Sequence, residues 1–472
     1  MSRAWAKKAA NGYAAPQRSG AGDLNRPAGG DARERSPKRG IRRYCPDLSA
    51  KPHPEHSLNS TVMPRFEPFR ALRYSPREDL DAVIAPPYDV LSPADVSALR
   101  ARDPHNIVQV DVPEPTADGY AASAATLARW RREGVLVRDD EPSLTIYRMD
   151  FADAAGRPRH LVGVLGALEV VDPGAGGVLP HERTTPKAST DRLDLTRATR
   201  ANLSPVWGLS LAPGLSALLA EHADAVGRLT VDGVTHRVER LTDRRRIDQI
   251  CALIGSDDVL IADGHHRYGV ARAYRDEVRA AAHSSAVARD QAASTLAFVG
   301  ELTPDQLAID AIHRLVSGVS VDQLRELLAR DFDLTPGPSV TDMDPAELLR
   351  RLDSDGVLAL VTADGAVTWL TARPGAFDGV RALDGAWLEH TLADSPATLD
   401  YQHGIPESVA AVCAGADRGA REAGTVAAIL IRPTSLAEIE RTAREGLLMP
   451  PKSTFFTPKL RTGFVLRMLD DL

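Results

Sequence analysis

A buried strand that turns directly into a helix is the feature of this sequence that most limits its fold. Residues 259–274 read VLIADGHHRYGVARAY, in which apolar residues run into Asp263 and Gly264 and an Ala/Val-rich segment follows. From Met63 onward, apolar runs typical of strands alternate with helical segments along the chain. This alternation predicts an α/β or α+β fold with a mixed sheet.

The residues of this turn are those of an anion-binding site. A helix leaves its first backbone N–H groups without partners, and these groups together with the helix dipole attract anions. Gly264 allows a ligand to approach the backbone, while His265, His266 and Arg267 add hydrogen-bond donors. Asp263 is suited to hold a cation that bridges phosphates, or to accept a proton. Helix capping would explain the aspartate alone, so we interpret the set as a phosphate-binding turn. Zinc is disfavoured because the adjacent histidines lack a third ligand nearby in the sequence.

A second polar segment, PHERTTPKASTDR at residues 180–192, is predicted to be a loop by its composition. Its His181 and Glu182 are candidates for a general base, and Lys187 is a candidate phosphate-binding cation. The alternative is a solvated polar loop without a role in chemistry.

Two other segments offer weaker candidates. Near the C-terminus, MPPKSTFFTPKL lacks the glycines of a P-loop, but Lys452 and Lys459 remain candidates for a phosphate contact. In APPYDV the prolines predict a rigid extended backbone. Tyr88 and Asp89 in that segment are as consistent with a structural role as with a catalytic one.

Composition limits the class of protein. The chain of 472 residues has 43% apolar and 26% charged residues, which is typical of a globular protein with a sizeable core. No apolar run approaches the roughly 18 residues of a membrane span, so no membrane partner is expected. The three cysteines are widely spaced and form neither a disulfide framework nor a zinc pattern. A soluble cytoplasmic protein is the expectation.

Charge and composition suggest the domain organisation. Residues 1–62 carry 12 Lys/Arg and 5 Asp/Glu, so the remainder of this −7 chain carries −14. The basic segment lacks apolar periodicity, and we interpret it as a disordered tail, with translation starting at Met63 as one possibility and a nucleic-acid arm as another. The acidic remainder makes a nucleic-acid partner unlikely. We divide it into an N-terminal lobe (63–175), a core that contains the turn (176–334) and a C-terminal α/β lobe (335–472).

Five motifs in order carry a family resemblance: APPYDVLS, HERT.PK...DR, SPVWGL, IADGHHRY and MPPKSTFFTPKL.TG. Together they resemble the bacterial domain-of-unknown-function 1015 family over essentially residues 66–472. The DGHHR turn is similar to that of ParB/sulfiredoxin-like proteins, particularly free-serine kinases. The resemblance implies a ParB/sulfiredoxin-like nucleotide-binding core with additional α/β lobes.

The same resemblance implies a function. In those kinases the strand–turn–helix binds the nucleotide phosphates, and a separate acidic residue deprotonates the serine hydroxyl. Carried over by motif, residues 263–267 would bind phosphates, with Mg²⁺ near Asp263 and with His265, His266 and Arg267 offsetting phosphoryl charge. Glu182 is the candidate base, because it lies in the other segment rich in reactive residue types.

The expectation is therefore phosphoryl transfer from ATP or ADP to a small hydroxylated metabolite, with free L-serine as the first guess. Asp263, His266 and Glu182 would be catalytic, and Gly264, His265, Arg267, Lys187 and Lys452 would bind the nucleotide. The alternative is a ParB-like regulatory module that binds or hydrolyses a nucleotide without a small-molecule acceptor. The oligomeric state stays open.

Overall fold

The structure is a computed structural model that describes residues 63–153, 156–182, 186–417, 424–450 and 452–470. Within these ranges, the side chains of 186–189, 345–346 and 414–417 are not described. The predictions made for residues 1–62 and the side chain of Lys187 lie outside the described part of the chain.

Strands and helices alternate along the described chain, as the sequence predicts. The strands are β1 (Phe66–Glu67), β2 (Leu72–Tyr74), β3 (Leu136–Arg138), β4 (Leu144–Ala152), β5 (Pro158–Glu169), β6 (Val178–Leu179), β7 (Ala201–Asn202), β8 (Val206–Ser210), β9 (Asp224–Val231), β10 (Val234–Leu241), β11 (Val259–Asp263), β12 (Ser294–Glu301), β13 (Ala308–Asp310), β14 (Ile312–Ser317), β15 (Phe332–Pro336), β16 (Leu358–Thr362), β17 (Val367–Ala372), β18 (Thr398–His403), β19 (Ala427–Leu430), β20 (Phe455–Thr457) and β21 (Arg467–Met468).

The α-helices are α1 (Leu80–Val83), α2 (Pro93–Arg102), α3 (Val108–Asp111), α4 (Gly119–Glu133), α5 (Pro186–Thr199), α6 (Leu215–Leu218), α7 (Arg244–Ile254), α8 (His265–Ala280), α9 (Ala286–Ala292), α10 (Val321–Leu328), α11 (Pro345–Ser354), α12 (Asp384–Leu392), α13 (Ile405–Asp417) and α14 (Leu436–Arg444). Short 3₁₀ helices lie at Tyr88–Val90 and Val340–Asp342. Among the helices described, none has the length and apolar character that crossing a membrane would require.

A nine-stranded sheet positions the candidate turn. Its strand order is β6-β11-β8-β12-β5-β4-β10-β9, with β1 paired to β5. The β11–β6 and β12–β8 pairs are parallel and the other pairs are antiparallel. The α/β class with a mixed sheet is therefore confirmed. The turn lies at the carboxyl end of β11, between β6 and β8.

A second, six-stranded sheet has the order β15-β17-β16-β19-β14-β18, and all its pairs are antiparallel. Its β16–β17 hairpin turns at Asp364 and Gly365 as predicted, with Gly365 at a φ of +80°. Between the two sheets, β13 pairs with β20, which brings the C-terminal segment back beside the first part of the chain. The lobe boundaries at residues 175 and 334 stay a prediction.

Both faces of the large sheet are covered. Adjacent residues on β4 point to opposite sides: Ile146 joins a cluster that includes Ile247 and Ile250 of α7, whereas Tyr147 joins a cluster that includes Trp130 of α4 and Leu195 of α5. Since successive side chains of a strand alternate between faces, a strand covered on both sides needs an almost continuous apolar run. The apolar sequence of β5 meets this requirement.

Several helix ends and one hairpin turn lie where local sequence signals indicate. The side chain of Ser92 accepts from the N–H of Asp95 in a capping box, and Pro93 opens α2. Helix α4 ends at Gly134, which has a φ of +74°. The hairpin of β9 and β10 turns at Asp232 and Gly233.

Two local predictions were wrong. The segment from Pro186 was predicted to be a loop, but it forms α5, because Leu195 and Thr199 are buried against the core despite the polar composition around them. The segment GLSALLAEHADAV, residues 214–226, is predicted to be a helix, but only Leu215–Leu218 form a single turn, and the chain returns to the sheet as β9. In both places packing overrides local propensity.

We expect Phe298→Ala to lower the free energy of unfolding by about 3–5 kcal/mol. Phe298 is fully buried on β12, and its ring makes edge contacts with Trp207 and Tyr147. Urea unfolding followed by circular dichroism measures the change. The control is Val287→Ala on α9, where the side chain is 41% exposed and about 0.5 kcal/mol or less is expected. Equal losses in the two variants would contradict the placement of Phe298 in the core.

Candidate functional site

The turn between β11 and α8 has the geometry that its sequence predicts. Gly264 precedes the first helical residue with a φ of +85°, and no side chain caps the helix. A Cβ atom on Gly264 would lie 3.0 Å from Nε of Arg267 and 3.3 Å from Cα of Val206. Glycine is therefore required both by the backbone conformation and by the space around it. The first N–H groups of α8 have no partner within the helix, so they are available to an anion.

Asp263 is paired with two cations. Its Oδ1 accepts from Nζ of Lys459 at 2.7 Å, and its Oδ2 accepts from the guanidinium of Arg267 at 2.5 Å. Burial raises the pKa of this carboxyl, but Lys459 and Arg267 outweigh burial and hold the pKa well below its usual range. Asp89 adds a weaker contact to Arg267 at 3.9 Å. The trio of Asp263, Lys459 and Arg267 carries a net charge of +1 at the start of α8.

Lys459 is therefore the lysine that the structure brings to the turn. Its ammonium also lies 4.2 Å from the centre of the Phe455 ring, which holds it in place. The side chain of Lys452 is exposed, and its backbone N–H donates to Glu182 instead. Lys187 is the second residue of α5 rather than part of a loop.

His181 connects three segments around the turn. It is fully buried, its Nδ1 donates to the carbonyl of Ile261 at 2.7 Å, and its Nε2 lies 3.0 Å from the hydroxyl of Thr454. Burial lowers the pKa of His181 to about 4. Because a carbonyl only accepts, Nδ1 carries the proton and Nε2 is the acceptor of the neutral ring.

Glu182 binds the segment that follows Met449. Its Oε1 accepts from the N–H of Lys452 at 2.8 Å, and its Oε2 accepts from the N–H of Ser453 at 3.3 Å. The hydroxyl of Thr454 lies 3.4 Å from Oε2. Burial raises the pKa of Glu182, and it outweighs the two N–H groups, which lower it. A carboxyl with a raised pKa in a buried place has the property required of a general base.

The two histidines of the turn differ in their surroundings. The ring of His265 makes an edge contact with His181, with ring centres 4.7 Å apart. Burial, and the proximity of His181, lower the pKa of His265 well below its ordinary value. His265 is thus a neutral hydrogen-bonding group near pH 7, which departs from the expectation that it offsets charge. The side chain of His266 is half-buried.

A cleft runs along α8 on the other side of Arg267. Its cavity volume is only about 50 Å³, and its mixed apolar and polar lining includes Tyr88, Leu195, Asn202, Val270, Tyr274 and Thr295. The guanidinium of Arg192 lies 4.1 Å above the ring of Tyr88. Burial raises the pKa of Tyr88 to about 12, so its hydroxyl keeps its proton.

Asp111 forms the floor of this cleft together with Arg192. The guanidinium of Arg192 donates to the backbone carbonyl of Asp111 at 2.6 Å, and the hydroxyl of Ser204 donates to Oδ2 of Asp111 at 3.3 Å. Burial raises the pKa of Asp111, whereas Arg192 and Arg267 lower it. Sequence reasoning missed Asp111, because no local signal marks it and its partners are far away in the sequence.

No group of three or more His, Cys, Asp or Glu side chains in the described chain is arranged to hold a metal ion. Asp263 therefore offers a single carboxylate, and both of its oxygens are in use. Mg²⁺ in nucleotide sites takes one or two carboxylates and obtains its other ligands from phosphates and water, so Asp263 would hold Mg²⁺ only after it releases Lys459 or Arg267.

The site includes residues of all five motifs, of which the first four lie within residues 66–386. A family model described as "Protein of unknown function (DUF1015)" matches this range. The chain belongs to that family. The match begins at Phe66, as expected, but it ends well before residue 472. The C-terminal motif with Lys452 and Lys459 is therefore outside the matched range, although it supplies the ammonium that pairs with Asp263.

Solved structures give more distant similarities. A free serine kinase variant in complex with ADP is 12% identical with a TM-score of 0.33, covering 61% of this chain and 89% of that chain. A conserved hypothetical protein from Pyrococcus furiosus is 12% identical with a TM-score of 0.34, covering 62% and 92%. SbnI with a C-terminal truncation from Staphylococcus aureus is 12% identical with a TM-score of 0.33, covering 65% and 89%. At these TM-scores the similarities support no function for this chain. No protein with a curated description matches it.

We expect Asp263→Ala to lower the free energy of unfolding by about 3–5 kcal/mol, because it leaves Lys459 and Arg267 without their shared carboxylate. Urea unfolding at pH 7 measures the loss. The control is Asp322→Ala, which removes a carboxylate that is 91% exposed and should cost about 0.5 kcal/mol or less. A loss at Asp263 no larger than that of the control would show that the two ion pairs do not stabilise the fold.

His181 predicts a specific dependence of stability on pH. Its pKa is about 4 in the folded protein and about 6.5 when unfolded. Below pH 6.5 the unfolded chain therefore binds the extra proton, so this stabilisation is complete above pH 6.5 and is lost as the pH falls towards 4.

In His181→Asn, we expect the loss of unfolding free energy between pH 7 and pH 5 to be smaller than in the wild type by about 2 kcal/mol. Urea titrations at the two pH values measure this difference. His283→Asn, which replaces an exposed histidine, is the control and should keep the wild-type pH dependence. A wild-type dependence in His181→Asn would mean that His181 is not held neutral by burial.

Proposed function

We propose that this protein binds a nucleotide at residues 263–267 and transfers a phosphoryl group from it to a hydroxyl of a small metabolite. ATP or ADP is the proposed donor, and free L-serine is the first acceptor to test. The observation that supports this proposal is the pairing of Asp263 with both Lys459 and Arg267 at the uncapped start of α8. Two partly buried cations and the positive end of the helix dipole then converge on one point, which suits a phosphate chain.

In this proposal the cations bind phosphate and Asp263 orients them. Phosphoryl transfer asks the protein mainly to position the groups and to stabilise negative charge. Lys459 and Arg267 supply that charge, and neutral His265 supplies a hydrogen bond. We keep His266, Lys187 and Lys452 as further candidates for phosphate contacts, and Asp89 as a carboxylate that helps to hold Arg267.

The cleft along α8 is the proposed place for the nucleoside. Arg267 is part of its lining, so a ligand whose phosphates lie at the turn would extend its ring between Tyr88 and Val270, and the cleft of about 50 Å³ would have to widen to accept it. Tyr88 and Tyr274 offer aromatic surfaces. The amide NH₂ of Asn202 offers a donor for the edge of a base, whereas its oxygen already accepts from the N–H of Leu296 and from Arg467.

Glu182 is the proposed general base. The acceptor oxygen forms a bond to the transferred phosphorus, and the bond from that phosphorus to the bridging oxygen of the nucleotide breaks. The hydroxyl proton passes to the carboxylate of Glu182, whose pKa is raised by burial. His181 positions Glu182 by fixing the adjacent backbone against Ile261. Mg²⁺ beside Asp263 would supply further charge to the phosphates when bound.

The setting of the reaction is also part of the proposal. The charge of −14 after residue 62 disfavours the phosphate backbone of a nucleic acid as partner, and a small-molecule acceptor fits this charge better. We place the protein in the cytoplasm.

The test incubates the full chain with ATP or ADP, Mg²⁺ and a panel of hydroxy compounds that includes L-serine, and detects phosphorylated products by mass spectrometry. We expect Lys459→Met and Glu182→Gln each to lower the rate by about 100-fold or more, because each removes a group that acts in the transition state. Lys459→Met should also weaken nucleotide binding, whereas Glu182→Gln should not.

The control is Arg197→Met on α5, which removes an exposed cation that pairs with Glu277 and should leave the rate unchanged. Nucleotide hydrolysis that no acceptor alters would favour the regulatory module instead. Absence of nucleotide binding in the wild type would refute both functions.

A further inference from the structure

Arg314 is a buried cation without a carboxylate partner. It lies on β14, it is 1% exposed, and one of its terminal nitrogens donates to the carbonyl of Ile312. Its other terminal nitrogen, NH2, has no hydrogen-bond partner in the described chain. The ring of Tyr401 covers the guanidinium at 4.8 Å. The arrangement is unusual, because buried charges in proteins are normally paired.

The free-energy cost of burying the Arg314 guanidinium indicates which kind of ligand would stabilise it. Arginine stays protonated in proteins, so burial cannot be relieved by loss of its proton. Burial lowers the pKa of Arg314, and the cation–π contact with Tyr401 offsets only part of the cost of desolvation. An anion that accepts a hydrogen bond from NH2 would satisfy the remaining donor and neutralise the charge.

A second anion-attracting feature meets Arg314 at the same place. Helix α12 begins with Leu383 as its N-cap, which cannot cap, and no side chain takes that role. A Cβ atom on Gly385, in the first turn of α12, would lie 2.8 Å from NH2 of Arg314. The guanidinium therefore lies against the N-terminal end of α12, where the helix dipole disfavours a cation and favours an anion.

The carboxylates around Arg314 leave its NH2 without a hydrogen-bond partner. Both oxygens of Asp384, the first residue of α12, accept from the guanidinium of Arg432, at 2.5 and 3.1 Å, and Oδ2 also accepts from the backbone N–H of Arg432 at 2.9 Å. Burial lowers the pKa of Arg314, whereas the charges of Tyr401, Glu389, Glu182 and Asp384 raise it, yet none of these groups accepts a hydrogen bond from NH2 in the described chain. The chain thus leaves NH2 of Arg314 as an unused donor beside the start of α12.

The charge of the proposed general base acts on this site. Burial lowers the pKa of Arg314, and Glu182 is among the groups that raise it. Leu383 belongs to the same apolar cluster as Met449, whose N–H donates to the carbonyl of His181 at 2.7 Å. Tyr401, which covers Arg314, is 40% exposed, so the ring over the guanidinium borders solvent.

We propose that Arg314 and the first N–H groups of α12 bind the anionic group of the acceptor, and that this group is the carboxylate of a hydroxy acid or hydroxy amino acid. The inference rests on the proposed function for the identity of the ligand as an acceptor. The donor phosphates use Lys459 and Arg267, so Arg314 is a separate cation for the acceptor. A planar carboxylate can accept from NH2 of Arg314 and from a backbone N–H at once.

The test is isothermal titration calorimetry of the full chain in the presence of ADP. Three ligands are titrated: L-serine, L-serinamide, in which an uncharged amide replaces the carboxylate, and sn-glycerol 3-phosphate. We expect L-serine to bind and L-serinamide to bind at least about 10-fold more weakly, because the amide lacks the charge. Arg314→Gln should weaken L-serine by about 10- to 100-fold and leave ADP affinity unchanged. Arg314→Lys should restore part of the loss.

Two further variants serve as a control and as a replacement for Arg314→Gln. Arg325→Gln on α10 removes an exposed arginine and should bind L-serine as the wild type does. If Arg314→Gln fails to fold, Gly385→Ala replaces it, since its Cβ displaces the guanidinium while the charge remains. That variant should also weaken L-serine.

The outcomes separate this inference from the proposed function. Equal affinity for L-serine and L-serinamide would overturn the carboxylate site, and so would a wild-type affinity of Arg314→Gln for L-serine. Binding of sn-glycerol 3-phosphate that depends on Arg314, without such binding of L-serine, would also overturn it. Phosphorylation of a neutral acceptor without any Arg314 effect would leave the proposed function standing and this inference refuted. Arg314-dependent L-serine binding without phosphorylation would support the site and refute the kinase.

Discussion

The pairing of Asp263 with Lys459 and Arg267 is the interaction on which the candidate site depends. A carboxylate at the buried end of β11 is tolerated only when cations and hydrogen-bond donors satisfy it. Lys459 comes from the C-terminal segment, and Arg267 also donates to the carbonyl of Pro205, next to β8. One carboxylate thus ties the turn to two segments that are distant in the sequence. The interaction that forms the candidate site therefore also holds the C-terminal segment beside β11.

The local part of this arrangement could be predicted from the sequence. The positive φ of Gly264, the strand before it and the helix after it depend on residues within a few positions, and so does the capping of α2 by Ser92. The mixed α/β class follows from the order of strands and helices. These features need no knowledge of the partners that the fold brings to them.

The rest required the structure, because the partners are remote in sequence. Lys459 lies 196 positions from Asp263, and Arg192 lies 81 positions from Asp111. Neither pairing has a local signature, and composition alone favoured Lys452 as strongly as Lys459. The loop predicted after Glu182 became α5 for the same reason, since its few apolar residues gain more by burial than its polar ones lose.

Two helix starts show how the fold separates stability from binding. Helices α7, α9, α10 and α14 each begin with an aspartate or serine that accepts from a backbone N–H of the first turn. Helices α8 and α12 begin with Gly264 and Leu383, which have no side chain that can do this. A capped helix satisfies its own N–H groups and has little left for a ligand.

The starts of α8 and α12, which are among several without a side-chain cap in the described chain, differ in how their cations are compensated. At α8, Asp263 neutralises one of two cations, so the site is stable by itself and still positive. At α12, Asp384 is occupied by Arg432, and Arg314 keeps its full charge in a buried place. Burying an unpaired charge costs more free energy than burying a paired one. Binding of an anion therefore stabilises the α12 site more than the α8 site.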